Sequence, residues 1–375
     1  MNILLTGVTG FIGRYTAMDL ISRGYEVYGL VRASSKRRDG LPEKLHIVEM
    51  DLGELRDAVT GGDTDTDRSR TCDSGSCDFE ICDLESSDFK VQDSEPSKSG
   101  TYDCEASLGG AYDEKLPSAW RDLPEIDACI HLAWAGAARD GRMNARLQQD
   151  NVEDTLALIR AVAAKGCTRF IFSGSQAEYG ITVEDVANCT RFPKTTEHTP
   201  CHPRSEYGKA KLEVLHRLSQ LCHELNMTYI HMRLFSVYGA GDQPNSLISL
   251  CARAFARGEV MAAASPCTQM WNFLHVKDCA AAIALLVSCP FLTDADAGDD
   301  ECVVNVAGVH SRVLRDYIEE MAALASPPGQ VTFGEKLNSP EGTPYLDPDI
   351  SKLISLTGFK ENVTWEAGVR DALNS

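Results

Sequence analysis

Short apolar runs alternate with longer amphipathic stretches through the first half of the chain. Residues 3–5 lead into a helical pattern over 11–22, and apolar runs follow at 26–31 and 46–49. The series resumes with a run at 128–132, a helical pattern over 144–165, a run at 169–173, a second helical pattern over 207–225 and a run at 228–234. Strand, helix, strand in this order predicts an α/β fold, a doubly wound parallel sheet covered by helices, over residues 1–240. Beyond Tyr238 the grammar loosens. It predicts a helix over 247–257, a strand ending at His275, a helix over 278–288, a short strand at 303–306, and helices over 314–324 and 365–373. Residues 241–375 are therefore expected to form mainly a smaller mixed α/β lobe, some segments returning to the first domain. It would lie over the carboxyl edge of the sheet, where open α/β sheets bind ligands.

The pattern breaks over residues 60–114, which show neither period and carry fifteen acidic against four basic side chains. Low hydrophobicity with high net charge does not offset the entropy of ordering, so this is read as an acidic, disordered insertion. Its Asp63, Asp65 and Asp67 resemble the start of a calcium loop, but Arg68 stands where that loop needs Gly and Ser74 where it needs Glu. Cys72, Cys77 and Cys82 are spaced more widely than a zinc pair and have no nearby His, so no metal site is expected.

The composition is otherwise ordinary: 375 residues, 43% hydrophobic and 24% charged, enough for one large core or two lobes sharing a seam. A formal charge of −19 argues against nucleic acid and against an anionic membrane surface. The opening MNILLTG runs straight into a glycine turn without a basic leader, and the longest apolar stretch, near 279–286, is too short to cross a bilayer. A cytoplasmic address is expected, with the fourteen cysteines as reduced thiols.

Directly after the first strand comes Thr6-Gly7-Val8-Thr9-Gly10-Phe11-Ile12-Gly13. Glycines here allow a tight turn, close approach of backbone N–H groups to a pyrophosphate, and tight helix packing. Gly7, Thr9, Gly10, Phe11, Ile12 and Gly13 are thus candidates to hold a dinucleotide. Near the end of the second strand, where NAD sites place an acidic residue, stands Arg32, within the cationic run 31–38. A guanidinium suits a 2′-phosphate, so NADP is preferred, with NAD possible. Asp51 and Leu52 follow the third strand. Asp51 is placed to accept from an adenine amino group, or to stand as an exposed turn aspartate.

Tyr207 and Lys211, four residues apart on one predicted helix, share a face one turn from each other. A phenol is a poor base near neutrality, and an adjacent ammonium with an oxidised nicotinamide ring would bring it into working range. Ser175, in the turn after the strand at 169–173, is the candidate partner for a substrate oxygen, with Ser173 competing.

Gly7, Gly10 and Gly13, the run His131-Leu132-Ala133, Ser175, Tyr207 with Lys211, and the segment 233–239 fall in the order of a known family. The chain resembles the extended short-chain dehydrogenase/reductase superfamily in its NAD-dependent epimerase/dehydratase branch, over nearly its whole length apart from 60–114. The resemblance implies a Rossmann lobe, with Leu132 and Ala133 at the cofactor, a nucleotide-sugar-binding lobe, a nicotinamide cofactor and a homodimer. Departures narrow the activity. Gln176 and Ala177 stand where sugar dehydratases carry Asp-Glu, no cysteine occupies that turn, and Trp271 stands where many 4-epimerases carry Arg. Gln176, Asn245, Gln269, Trp271 and Asn272 are assigned to the substrate side. The pattern is most similar to nucleotide-sugar 4-ketoreductases such as the CDP-abequose and CDP-paratose synthases, implying hydride transfer from NADPH to carbon 4 of a 4-keto-6-deoxyhexose. The alternatives are a 4-epimerase with tightly bound NAD, and a cofactor-sensing regulator, against which the retained Tyr/Lys pair speaks.

Overall fold

In the computed structural model of this chain, residues 1–60, 116–187, 193–289, 299–335 and 341–374 are described. The proposed insertion, with its aspartate run and three cysteines, lies outside the described residues apart from Thr60. Seven strands form one parallel sheet: β1 (Asn2–Thr6), β2 (Glu26–Val31), β3 (His46–Glu49), β4 (Ala128–His131), β5 (Arg169–Ser175), β6 (Thr228–Leu234) and, from much later in the chain, Val303–Val306. From one edge the order is Val303–Val306, β6, β5, β4, β1, β2, β3. The order runs outward from β1 in both directions, so the crevice between the carboxyl ends of β1 and β4 is the switch point at which such sheets take ligands. Ile3, Leu4 and Leu5 of β1, Cys129 and Ile130 of β4, and Phe170, Ile171 and Phe172 of β5 are fully buried. Parallel strands covered on both faces need continuous apolar runs, which is why these segments do not alternate.

The helices before the smaller lobe are α1 (Phe11–Ser22), α2 (Leu52–Val59), the single turns α3 (Ser118–Arg121) and α5 (Val183–Val186), α4 (Ala145–Ala164), and α6 (Glu206–Glu224). Asn144 and Ser205 cap α4 and α6 by accepting from the backbone N–H groups of Leu147 and Gly208. The smaller lobe holds the strands β7 (Ser236–Tyr238), β8 (Val260–Ala263) and β9 (Met270–His275), β11 (Ser311–Val313) and β12 (Gln330–Phe333), with β10 being Val303–Val306 of the main sheet. Its helices are α7 (Leu247–Ala256), α9 (Leu314–Leu324) and α11 (Trp365–Leu373), and they close a second core around Phe255, Ile318, Met321 and Val369. The two remaining helices, α8 (Val276–Ser288) and α10 (Ser351–Thr357), join the first lobe: α8 packs on α1, and α10 packs on α8 and β10.

Two expectations are corrected here. The strand 303–306, read as part of the smaller lobe, pairs with β6 through Val303↔His231 to Val306↔Leu234 and forms the edge of the main sheet. All four of its residues, Asn305 among them, are buried, and a lone four-residue strand finds that burial only between layers already built. The strand read as ending at Ser173 continues through Gly174 and Ser175, which pair with Arg233 and Leu234. Ser175 is thereby fixed to a strand end rather than carried on a loose turn.

Candidate active site

Gly7 turns the chain out of β1 with φ +72°, and a Cβ there would stand 2.7 Å from the backbone nitrogen of Ala133. A Cβ on Gly13 would stand 2.1 Å from the Gly7 carbonyl oxygen. The turn, the helix start and the loop after β4 approach as only glycine allows. Helix α1 begins at Gly10 with no side-chain cap and no acidic residue in its first turn, which leaves its N–H groups and positive dipole end for an anion. In front of it lies a cleft of about 490 Å³ lined by Gly7, Thr9, Gly10, Arg32, Asp51, Leu52, Leu132 and Ala133, all expected at a cofactor. Ser34, Lys36 and Arg37 extend its basic rim. Arg38 does not join them, because it pairs with Glu49 and donates to the carbonyls of Arg32 and Ala33. Five residues expected at the cofactor do not line the cleft: Tyr207 and Lys211, the latter expected to bond the nicotinamide ribose, and Phe11, Ile12 and Gly13. Phe11 meets Tyr15 edge to face, Ile12 packs on the main core, and Gly13 is closed off by the Gly7 backbone. Asp51 lines the cleft and also caps α2, accepting from Gly53 N–H at 2.9 Å.

A buried relay locks the loop behind this cleft. The Thr155 hydroxyl donates to the Asn151 carbonyl at 2.7 Å, so it accepts from His131 Nε2 at 3.1 Å. That leaves His131 Nδ1 to accept from the Thr6 hydroxyl at 2.7 Å, while Thr6 Oγ1 accepts from the Ala133 N–H at 3.1 Å. Burial, reinforced by Lys211, holds His131 down at about 3, so the ring is neutral as this relay requires. Asn151 and Gln148 of α4 bond the backbone of Ala135, Gly136 and Gly141, and Gln148 Oε1 accepts from Trp134 Nε1 at 2.7 Å.

The three expected catalytic side chains converge beside Trp134. Tyr207 and Lys211 are both buried on α6, and the Ser175 hydroxyl, which accepts from the Ala177 N–H at 3.2 Å, is among the groups that act on the Tyr207 phenol. Ser173 contributes its carbonyl instead, accepting from Lys211 Nζ at 2.6 Å. The ammonium lies 3.6 Å from the Trp134 ring centroid and 5.7 Å from that of Tyr207. The expectation that it would pull the phenol into working range together with an oxidised nicotinamide ring is not met by the ammonium alone. Burial raises Tyr207 above its ordinary value, opposed by the Ser175 hydroxyl and Arg142, and burial pushes Lys211 well below its own. Ser175 is held in turn from beneath. Fully buried Glu178 accepts from the Ser175 N–H at 2.7 Å, from Arg233 Nε at 2.7 Å and from His231 Nε2 at 3.0 Å.

A second cavity of about 240 Å³ is lined by Gln176, Thr182, Arg142, Arg204 and Glu341 among others, and the Arg142 guanidinium stands over the Tyr207 ring. Of the residues assigned to the substrate side, only Gln176 lines it. Asn272 is fully buried, its amide donating to the Gly308 carbonyl at 2.9 Å and accepting from the Gly308 N–H at 2.8 Å, so it joins β9 to the loop after β10. Asn245 is exposed before α7, while Gln269 and Trp271 are partly buried and line neither cavity. Sequence reasoning missed Trp134, Arg142 and Glu341. Trp134 directly follows the His131-Leu132-Ala133 run and could have been found there; Arg142 and Glu341 carry no local signal.

Among the described residues, no group of His, Cys, Asp and Glu could hold a metal ion, and no helix is long and apolar enough to cross a membrane. A family model described as the NAD dependent epimerase/dehydratase family matches residues 3–61 and 113–307. The dTDP-6-deoxy-L-talose 4-dehydrogenase (NAD(P)(+)) of Kitasatospora kifunensis is 28% identical over 232 residues, 60% of this chain and 66% of that protein. UDP-glucose 4-epimerase 2 of Oryza sativa subsp. japonica is 31% identical over 121 residues, 31% of this chain and 27% of that protein. The chain thus spans less than two thirds of either relative. A solved structure of Thermus thermophilus UDP-glucose 4-epimerase in complex with NAD is similar with a TM-score of 0.70 at 19% identity, covering 100% of this chain and 98% of that one.

Proposed function

The chain belongs to the NAD-dependent epimerase/dehydratase family, and from that premise we propose that it reduces carbon 4 of a nucleotide-activated 4-keto-6-deoxyhexose. The observation that carries this reading is the meeting of Tyr207 with Ser175, the Tyr207 ring standing perpendicular to that of Trp134, which lines the larger cleft, and under the guanidinium of Arg142, which lines the smaller cavity. The glycine cradle and uncapped helix start fit a dinucleotide pyrophosphate, and the rim of Arg32, Ser34, Lys36 and Arg37 fits a 2′-phosphate. NADPH, when bound, supplies the hydride. Tyr207 gives the proton to the new alkoxide, Ser175 hydrogen-bonds the same oxygen, and Lys211 stiffens the site through Ser173. A raised phenol stays protonated through neutral pH, which is the state a proton donor needs. The talose 4-dehydrogenase, whose name places its redox step at position 4 and admits either cofactor, supports the same reading. A homodimer and a cytoplasmic address belong to this proposal.

A 4-epimerase with tightly held NAD would use the same three residues, and the epimerases among the relatives favour it as the second reading. Incubation with a panel of nucleotide sugars separates the two. Reduction predicts stoichiometric loss of NADPH absorbance with a 4-keto-6-deoxy substrate. Copurifying NAD, with interconversion of carbon-4 epimers and no net cofactor consumption, would replace this reading with the epimerase. A further expectation concerns the rim. Arg32→Asp should weaken NADP by about ten- to a hundredfold, the worth of one or two charge-assisted hydrogen bonds, and leave NAD unchanged or improved. Thermal-shift titrations with both cofactors measure this, and unchanged NADP binding would remove Arg32 from the site.

A further inference from the structure

Arg142 lies in the short turn 139–143 before α4, and Glu341 lies 199 residues further on, after the last strand of the smaller lobe. The two meet across the smaller cavity in a bidentate pair, Nε to Oε1 and one terminal nitrogen to Oε2, both at 2.6 Å. The remaining guanidinium nitrogen donates to the Ala137 carbonyl at 3.4 Å, so the fork is held from two directions. In that position the Arg142 guanidinium carbon stands 4.3 Å from the centroid of the Tyr207 ring, closer than the Lys211 ammonium at 5.7 Å. We propose that Arg142, oriented by Glu341, is a positioning residue for the reaction, placing a fixed positive charge on the face of the Tyr207 ring. This rests on the proton-donor role given to Tyr207 above.

The arrangement has a chemical consequence that a mere tie between lobes would lack. A planar cation over an aromatic face attracts it, and attracts the phenolate more strongly than the phenol. Arg142 therefore eases proton release from Tyr207 against the burial that opposes it. The other charged groups facing the phenol are Glu341 and Glu178, which work in the opposite direction, and Lys211, which is turned towards Ser173 and Trp134. Arg142 and Glu341 thus act on Tyr207 with opposite signs although they form one ion pair. Arg204, the other guanidinium in the cavity wall, is committed to a bidentate contact with Asp185 of α5.

The opposite signs supply the test. The Tyr207 phenol is titrated in the protein loaded with NADP, from its near-ultraviolet phenolate absorbance, as the difference between each protein and the same protein carrying Tyr207→Phe. Arg142→Gln should move the midpoint to higher pH and Glu341→Gln to lower pH. In turnover with the nucleotide sugar found active, Arg142→Gln should lower kcat about tenfold at neutral pH and displace its pH profile in the same direction. Arg142→Lys, which keeps the charge and loses the fork, should restore most of the midpoint shift, and it serves where Arg142→Gln does not fold. Midpoints that stay put in Arg142→Gln and Glu341→Gln, or that move in the same direction, would overturn the proposal and leave a structural tie. The titration needs no substrate, so a protein inactive on every nucleotide sugar would count against the proposed reduction while leaving this inference separately decided.

Discussion

Tyr207→Phe is expected to cut turnover by about 10²- to 10⁴-fold, the usual worth of a positioned proton donor. The substitution isolates the hydroxyl because the ring remains to meet Trp134, 6.3 Å away at 87°, and the guanidinium of Arg142, 4.3 Å from its centroid. Folding and cofactor binding should therefore persist, and a thermal shift on adding NADP checks that they do. What remains after the change is orientation of hydride donor and carbonyl in one cleft, so activity should fall far without vanishing. Since burial raises the phenol, wild-type reduction should hold through neutral pH and fail as the pH rises through the ionisation of Tyr207, and the variant should lack that alkaline limb. Initial rates of NADPH oxidation across pH measure both. A variant within a few-fold of wild type would end the acid role of this residue.

The parts of this site that local chemistry dictates could be read before any fold was known. Gly7, Gly10 and Gly13 meet one another within a single turn and helix start, so their spacing alone implies the cradle. Tyr207 and Lys211 share a face because 3.6 residues make a turn. What escaped that reading depends on burial and long-range meeting. Spacing placed Lys211 beside Tyr207, but not the carbonyl of Ser173 that captures its ammonium, nor the loss of solvent that raises the phenol. Asn272 follows a plausible aromatic in a strand, yet its partners, the backbone of Gly308 and His310 and the Ser311 hydroxyl, come near only after β10 returns to the main sheet. Arg142 and Glu341 belong to segments without periodicity, and they meet because the chain after β12 returns to the first core, where Leu346 and Ile350 are buried.

The largest effect on stability should come from a residue that touches no ligand. Glu178→Gln removes one charge from a site with no exposure, where Glu178 faces three donors: the Ser175 N–H, Arg233 Nε and His231 Nε2. With Nε2 facing Glu178, His231 Nδ1 meets the Tyr229 hydroxyl at 2.7 Å, and Arg233 is the guanidinium that Glu178 pairs with. Burial lowers His231, opposed by Glu178. A glutamine leaves the Arg233 charge buried without compensation and turns an NH₂ group towards donors, which should cost about 3–5 kcal/mol. The pH dependence has a definite sign. Burial disfavours the Glu178 carboxylate, but His231 and Arg233 outweigh it and hold the group at about 2, below its ordinary 4.5. Its contribution is thus present above about pH 4.5 and is lost as the pH falls towards 2, because the unfolded chain takes up the proton first. Denaturant unfolding of both proteins at pH 7 and near pH 4 should show a gap that narrows on acidification. The same loss frees the backbone of Ser175, so kcat should fall more in Glu178→Gln than its remaining folded fraction explains. A gap below about 1 kcal/mol at pH 7, no more than a typical net hydrogen bond is worth, would mean that Arg233 finds its compensation elsewhere.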